Sequence, residues 1–264
     1  MRILVGIATT NRVSIMADGK TISSSGPDKR FLENLSNFTH ECAHKFPDIY
    51  LFPMWVWNKP LVEAQNDFAE VALDGNYDYL LTLEDDHWGF NADMLEACIQ
   101  ANTHVCGIPY RSRHFPFEVV PMRFEKIDQN GVKRFSGMND KSLKGYQKAD
   151  LIGFGFTLIK TDVFRILDRP FFRTNIEYYK GVGPHATDID FCDRLISKGI
   201  HPYGCFDYRV NHRDIEEDKY AEMIVAGILT QHSMFTTVGN IGRYKKVQNS
   251  FNINKSENDK LRGN

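Results

Sequence analysis

The sequence predicts an α/β fold: a single domain on a mixed, mainly parallel central sheet flanked by helices. Three observations predict it. Short apolar runs at Arg2–Ala8, Tyr79–Leu83 and Val105–Ile108 read as buried strands and alternate with segments of helical apolar spacing; this alternation favours a parallel sheet covered on both faces. The chain has 264 residues, 42% hydrophobic and 25% charged, which is ordinary globular composition with length enough for a full core. One buried strand runs straight into Glu84-Asp85-Asp86-His87, and open sheets of this kind carry their ligands beyond the carboxyl ends of strands.

Taken in order, Arg2–Ala8 is a first strand, followed by the polar Thr9-Thr10-Asn11-Arg12. Ser14 to Lys29, with its Ser, Gly, Asp and Pro, reads as a loop. Phe31, Leu35 and Phe38 share a helical face over Phe31–Phe46, and Ile49-Tyr50-Leu51-Phe52 marks a strand within Asp48–Trp57. Asn58 is placed to cap the next helix and Pro60 fits its first turn. Leu61, Ala64, Phe68, Ala69, Ala72 and Leu73 then line one side before Gly75 ends it. After the Tyr79–Leu83 strand come a helix from about Asn91 to Gln100 and a strand over Val105–Ile108.

From Arg111 to Lys148 the pattern turns polar, which reads as a solvated hairpin or loop; Arg123–Lys148 holds seven basic against three acidic residues. Ala149–Lys160 is an apolar strand with Gly153 and Gly155 inside it, a spacing that suggests close approach to the backbone. Thr161 is placed to cap a short helix. Asp188–Lys198 is a further helix, with Ile189, Cys192, Leu195 and Ile196 inward and Gly199 at its end. Tyr203–Val210 is a last strand, Glu216–Phe235 an amphipathic helix, and the chain after Gly242 a polar, loose tail.

The net charge of −2 excludes a strongly basic, generic nucleic-acid binder while leaving room for a local basic face. Five scattered cysteines without a Cys-x-x-Cys pair suit a reducing compartment. The N-terminal apolar run is too short for a signal peptide, and no run of about 18 apolar residues suggests a membrane span. The expectation is a cytoplasmic protein with no membrane partner.

Three segments have chemistry to offer. Consecutive carboxylates at Glu84-Asp85-Asp86 repel one another, and a divalent cation would relieve that, though an acidic surface turn or helix cap is also consistent with them. Thr187-Asp188-Ile189-Asp190 reads equally as a helix start with Thr187 capping and as a carboxylate base held at a helix N-terminus. His212, between Asn211 and Arg213, is a possible metal ligand or an ordinary histidine.

Together these segments resemble a known family. Tyr77–Asp86 looks like the strand and Asp-x-Asp motif of GT-A glycosyltransferases, especially small phage-like and bacterial ones of the nucleotide-diphospho-sugar transferase superfamily. Gly153–Lys160 resembles their glycine-containing strand near the acceptor, Thr187–Cys192 their Glu-Asp-x-Asp-Phe-Cys segment, and Val210-Asn211-His212 their final metal-binding histidine. The resemblance runs from about Arg2 to His212. It implies a GT-A (Rossmann-like) domain over residues 1–242, its nucleotide-sugar half about 1–110 and its acceptor half about 111–242, with 243–264 as a polar tail.

The roles it implies are these. Asp86 and His212 bind Mn²⁺ or Mg²⁺, with Glu84 on the ribose or a metal-bound water and Asp85 also on the donor side. Ala8, Thr10 and Arg12 line the nucleotide pocket, and Arg111 and Arg113 contact phosphate or acceptor. Gly153, Phe154 and Gly155 lie on the acceptor side, and Asp188 is the general base, with Asp190 as fallback. Two positions depart from the pattern: Glu84 stands for the first Asp, and Thr187 for the Glu before the base. The implied reaction is metal-dependent transfer of a sugar from a nucleotide-diphosphate donor, a UDP-sugar, to an acceptor hydroxyl with inversion. The acceptor stays open between a hydroxymethylated base in phage DNA, a glycan and a protein. Hydrolysis or phosphoryl transfer on the nucleotide-sugar, and silent binding of it, are the competing functions.

Overall fold

The apolar runs of the sequence assemble into one central sheet. The computed structural model describes residues 1–9, 12–15, 21–24, 26–112, 118–129, 133–174 and 187–212. It begins with β1 (Arg2–Thr9), β2 (Arg12–Ile15), β3 (Thr21–Ser24), α1 (Lys29–Lys45) and β4 (Tyr50–Trp57). It continues through α2 (Leu61–Asp74), β5 (Tyr79–Glu84), β6 (His87–Trp88), α3 (Ala92–Gln100), β7 (Val105–Gly107), β8 (Tyr110–Arg111) and β9 (Val119–Val120). Then come β10 (Met122–Ile127), β11 (Lys133–Gly137), β12 (Tyr146–Lys148), β13 (Phe156–Lys160), α4 (Val163–Ile166), α5 (Thr187–Ser197), β14 (Tyr203–Cys205) and β15 (Asn211–His212). The helix expected over Glu216–Phe235 and the tail lie outside the described residues, as do Thr10 and Arg113.

The sheet has seven strands in the order β12-β14-β7-β13-β5-β1-β4. β1 runs parallel to β4 and β5, and β14 parallel to β7. β13 lies antiparallel between β5 and β7, and β12 antiparallel on the edge. Five strands therefore share one direction, which is the mixed, mainly parallel α/β sheet expected.

β1 shows how sequence becomes layers. Ile3, Val5 and Ile7 pack on one face with Phe31, Leu35 and Phe38 of α1 and with α3. Leu4 and Ala8 pack on the other with Phe68 of α2, Phe164 of α4 and Phe191 of α5. Period-two strands meet period-3.6 helices, and each face is closed. Asn91 caps α3 by accepting from Met94 N at 3.1 Å. Among the described residues no helix is long and apolar enough to cross a membrane.

Four local expectations change. The segment read as a loop from Ser14 contains parts of a ribbon, β2 paired antiparallel with β3; four residues a strand is too short a period to stand out among Ser and Gly. Asn58 does not cap α2: it takes a left-handed turn at φ 56° out of β4, which Asn tolerates, and Pro60 occupies the cap without a side-chain bond. Asp162, not Thr161, stands at the start of α4. Gly153 and Gly155 precede β13 rather than lying inside it, because Ala149–Gly155 is held by a single bridge from Leu151 to Met122 instead of a ladder.

Candidate metal and donor site

The site grows from the end of β5. Leu80–Leu83 are buried between β1 and β13, so the strand is fixed on both sides, and Glu84 is the first residue to reach solvent. Asp85 and Asp86 turn the chain, and β6 then pairs antiparallel with β15 so that His87 lies opposite His212. Directly opposed positions bring side chains together, and the two imidazoles stack with centroids 4.2 Å apart. Helix α1 braces this turn from behind: Asp28 N donates to Asp85 O at 3.1 Å, and Asn34 Nδ2 donates to Phe90 O at 2.7 Å. Arg30 lies over the Trp88 ring at 3.6 Å.

Asp86, His87 and His212 are all buried, and a ligand atom from each lies within 4.8 Å of the others. His212 Nδ1 is 2.8 Å from Arg111 O. A carbonyl only accepts, so Nδ1 carries a hydrogen, and Nε2 is the ring atom turned to Asp86 Oδ2, 3.6 Å away. His87 Nδ1 lies 3.1 Å from Asp86 Oδ1 and 3.6 Å from Glu84 Oε2. A buried carboxylate between two imidazoles calls for a positive species there, either a proton on a ring or a metal ion. Burial works to raise Asp86, but its interactions with His212 and His87 outweigh it and hold its carboxyl well below the usual range. One carboxylate and two imidazoles form a suitable donor set for a first-row divalent ion, and the Arg111 carbonyl orients one of the imidazoles from outside.

The donor-side residues fall around this cluster unevenly. Ala8 is paired in register with Glu84 across β1 and β5. Arg12 lies on β2. Asp85 is buried in the turn, and Arg111 is buried with its carbonyl committed to His212.

The glycines prove informative. A Cβ on Gly155 would sit 2.6 Å from His87 Nε2, and one on Gly153 would overlap the Tyr110 hydroxyl. Tyr110 in turn sets its ring edge against His87 at 4.5 Å and His212 at 5.4 Å. What approaches this backbone is the histidine cluster itself. Phe154, between the glycines, points into an aromatic group with Phe172 and Phe191 at 5.3 and 5.5 Å.

Phe191 belongs to α5, and Cys192 Sγ reaches Ile152 O at 3.9 Å, so α5 packs on the segment that leads to Gly155. Asp188 and Asp190 occupy its first turn. Asp188 keeps partial exposure as a residue, but desolvation of its carboxyl pushes the pKa up to about 7, against the hydrogen bond from Ile189 N at 2.9 Å. Asp190 is buried and raised by desolvation, with Arg194 at 3.5 Å pulling the other way. A salt bridge to Arg194 is a structural use for Asp190 that Asp188 does not share.

Sequence reasoning missed His87 and Tyr110 as members of the cluster. The signal for His87 was its place directly after the acidic run, two residues beyond Asp85; Tyr110 offered none, since only the fold sets it across from Gly153.

No family model and no curated protein matches the chain. Among solved structures it is similar to A197 from STIV, at 14% identity and TM-score 0.46 over 82% of this chain and 96% of that one. It is also similar to GalNAc-T7 with UDP, GalNAc and Mn²⁺, at 13% identity and TM-score 0.39 over 85% of this chain and 46% of that one. A third likeness is to CMP:2-keto-3-deoxy-manno-octonic acid synthetase complexed with CTP, at 12% identity and TM-score 0.41 over 88% and 99%.

Proposed function

We propose that this chain is a metal-dependent glycosyltransferase, moving a sugar from a nucleotide-diphosphate donor to an acceptor hydroxyl. The observation that carries it is the convergence of Asp86, His87 and His212 at the carboxyl end of β5, beside Ala8 on β1. Asp86 and His212 hold the ion as the sequence suggests, and His87 joins them in place of a direct contact from Glu84. The two imidazoles favour a first-row ion such as Mn²⁺ over Mg²⁺. The ion supplies charge neutralisation for the diphosphate leaving group.

The chain's own residues do the rest. Arg111 O holds the His212 Nδ1 hydrogen, which leaves Nε2, the atom turned to Asp86, to ligate an ion. Glu84, partly exposed at the rim, is placed to meet a ribose hydroxyl. Asp188 takes the proton from the acceptor hydroxyl; a carboxyl poised near neutrality is suited to that task. Direct attack assisted by one base inverts the anomeric centre.

For the acceptor, the basic segment is less available to phosphates than its composition suggests. Lys133 pairs with Asp193 and Arg134 with Asp128. DNA, glycan and protein acceptors are compared directly by incubating the protein with nucleotide-sugars, Mn²⁺, and matched pools of hydroxymethylated DNA, oligosaccharide and protein. Sugar incorporated into one pool, dependent on metal and lost in Asp188→Asn, supports the reading. Nucleotide release that needs no acceptor points to hydrolysis instead. Binding without turnover on every pool refutes the enzyme.

A further inference from the structure

Away from that cluster, the last turns of α1 read His40-Glu41-Cys42-Ala43-His44. Two histidines four apart on a helix stand one above the other on the same face. Here both are exposed and their ring centroids are 4.3 Å apart. They line an open surface depression of about 530 Å³ together with Asn91, Ala92 and Asp93 at the start of α3. Two carboxylates line it, Glu41 and Asp93, against one ammonium, Lys45. That ammonium is already matched by Asp93 at 2.5 Å and Glu96 at 2.6 Å.

We propose that His40 and His44 chelate a second divalent transition ion, of the Cu²⁺, Ni²⁺ or Zn²⁺ class, at this depression. Imidazole pairs suit those ions, and Cu²⁺ heads the affinity order. With metal–nitrogen bonds of about 2.1 Å, rings this close need only small side-chain rotations to share one ion.

The residue order His-Glu-x-x-His also occurs on the zinc helix of metalloproteases, where the Glu is a general base. The structure argues against that use here. Glu41 Oε2 accepts from Ala92 N at 3.1 Å, helping to cap α3, and among the described residues the one three-ligand group is Asp86, His87 and His212. Among the described residues the pair offers two ligands, and water would complete the shell of the ion. The pair is independent of the glycosyltransferase reading, because none of its residues belongs to the acidic cluster.

The test is Cu²⁺ binding to the full chain by equilibrium dialysis, with electron paramagnetic resonance on the same samples. The native protein should retain one equivalent more than His40→Ala or His44→Ala. Loss of either ring should weaken that equivalent on the order of 100-fold, the effective-concentration advantage of the second donor. The nitrogen coupling of that equivalent should fall from two imidazoles to one. Both side chains are exposed, so circular dichroism should be unchanged; His40→Gln and His44→Gln serve if an alanine variant fails that check. Equal stoichiometry and affinity in native and variant proteins overturn the proposal, and so does a loss caused by one histidine but not the other.

Discussion

The end of β5 and the start of α5 each present carboxylates, but their surroundings push those acids in opposite directions. Asp86 is buried against two histidines and held ionised, well below the usual carboxylate range. Asp188 is raised to about 7 by desolvation. Separated pKa values of this kind suit two acids to two roles, which in the function proposed above are holding a cation and moving a proton. The supports differ too. Asp86 stands on a strand held by two neighbours and braced by α1, whereas Asp188 opens a helix anchored through Phe191 and Cys192.

The largest effect should come from breaking the first region. Asp86→Ala leaves His87 and His212 buried without their shared carboxylate. Metal-dependent nucleotide binding should be abolished in Asp86→Ala and in His212→Ala, as read by calorimetry with and without Mn²⁺. Retained Mn²⁺-dependent binding in both would remove the cluster from the donor site.

The second region should separate binding from turnover. Asp188→Asn is expected to bind donor normally and lose turnover by about 10²- to 10⁴-fold. In the native protein kcat should fall as pH drops below about 7, where Asp188 gains its proton, and any residual activity of the variant should lack that limb. Stability carries the same signature with a defined sign. An acid raised from 3.8 to about 7 binds its proton more tightly folded than unfolded, so stability falls as pH rises through that interval. Denaturant midpoints of Asp188→Asn should lack this slope. A native profile flat between those values would show that the carboxyl is not desolvated.

What was legible in the sequence follows from how local each signal is. The strand Tyr79–Leu83 and its acidic end were readable because an apolar run and the charges that stop it are contiguous. The pairing of His87 with His212 was not, since it depends on β6 meeting β15 from a distant part of the chain. Gly153 and Gly155 announced a close approach, yet the partners, Tyr110 and His87, come from other elements. Asn58 misled for a related reason: the same small polar side chain that caps helices also tolerates the left-handed turn it makes here.

Those glycines sharpen the comparison, because they lie on the segment joining the two regions. Gly155→Ala puts a methyl 2.6 Å from His87 Nε2, and overpacking of this kind costs typically about 1–3 kcal/mol. The ring must shift out of its present place beside Asp86, so Mn²⁺ affinity should fall along with thermal stability. Unchanged metal affinity in a destabilised Gly155→Ala would mean that His87 fills space without serving the ion.

The smallest effect should come from the far side of α5. Lys133 of the β10–β11 hairpin reaches Asp193 at 2.5 Å, with both side chains about a fifth exposed at 22% and 23%. Partial exposure limits such a pair to roughly 0–1 kcal/mol, so Lys133→Ala should scarcely move the denaturant midpoint or donor binding. If the hairpin sits on a phosphate backbone, the same substitution removes one neutralising charge and lowers the salt slope of DNA binding by about 0.9. An unchanged salt slope would leave Lys133 as a tether for α5, on the Asp188 side of the comparison, with no part in holding an acceptor.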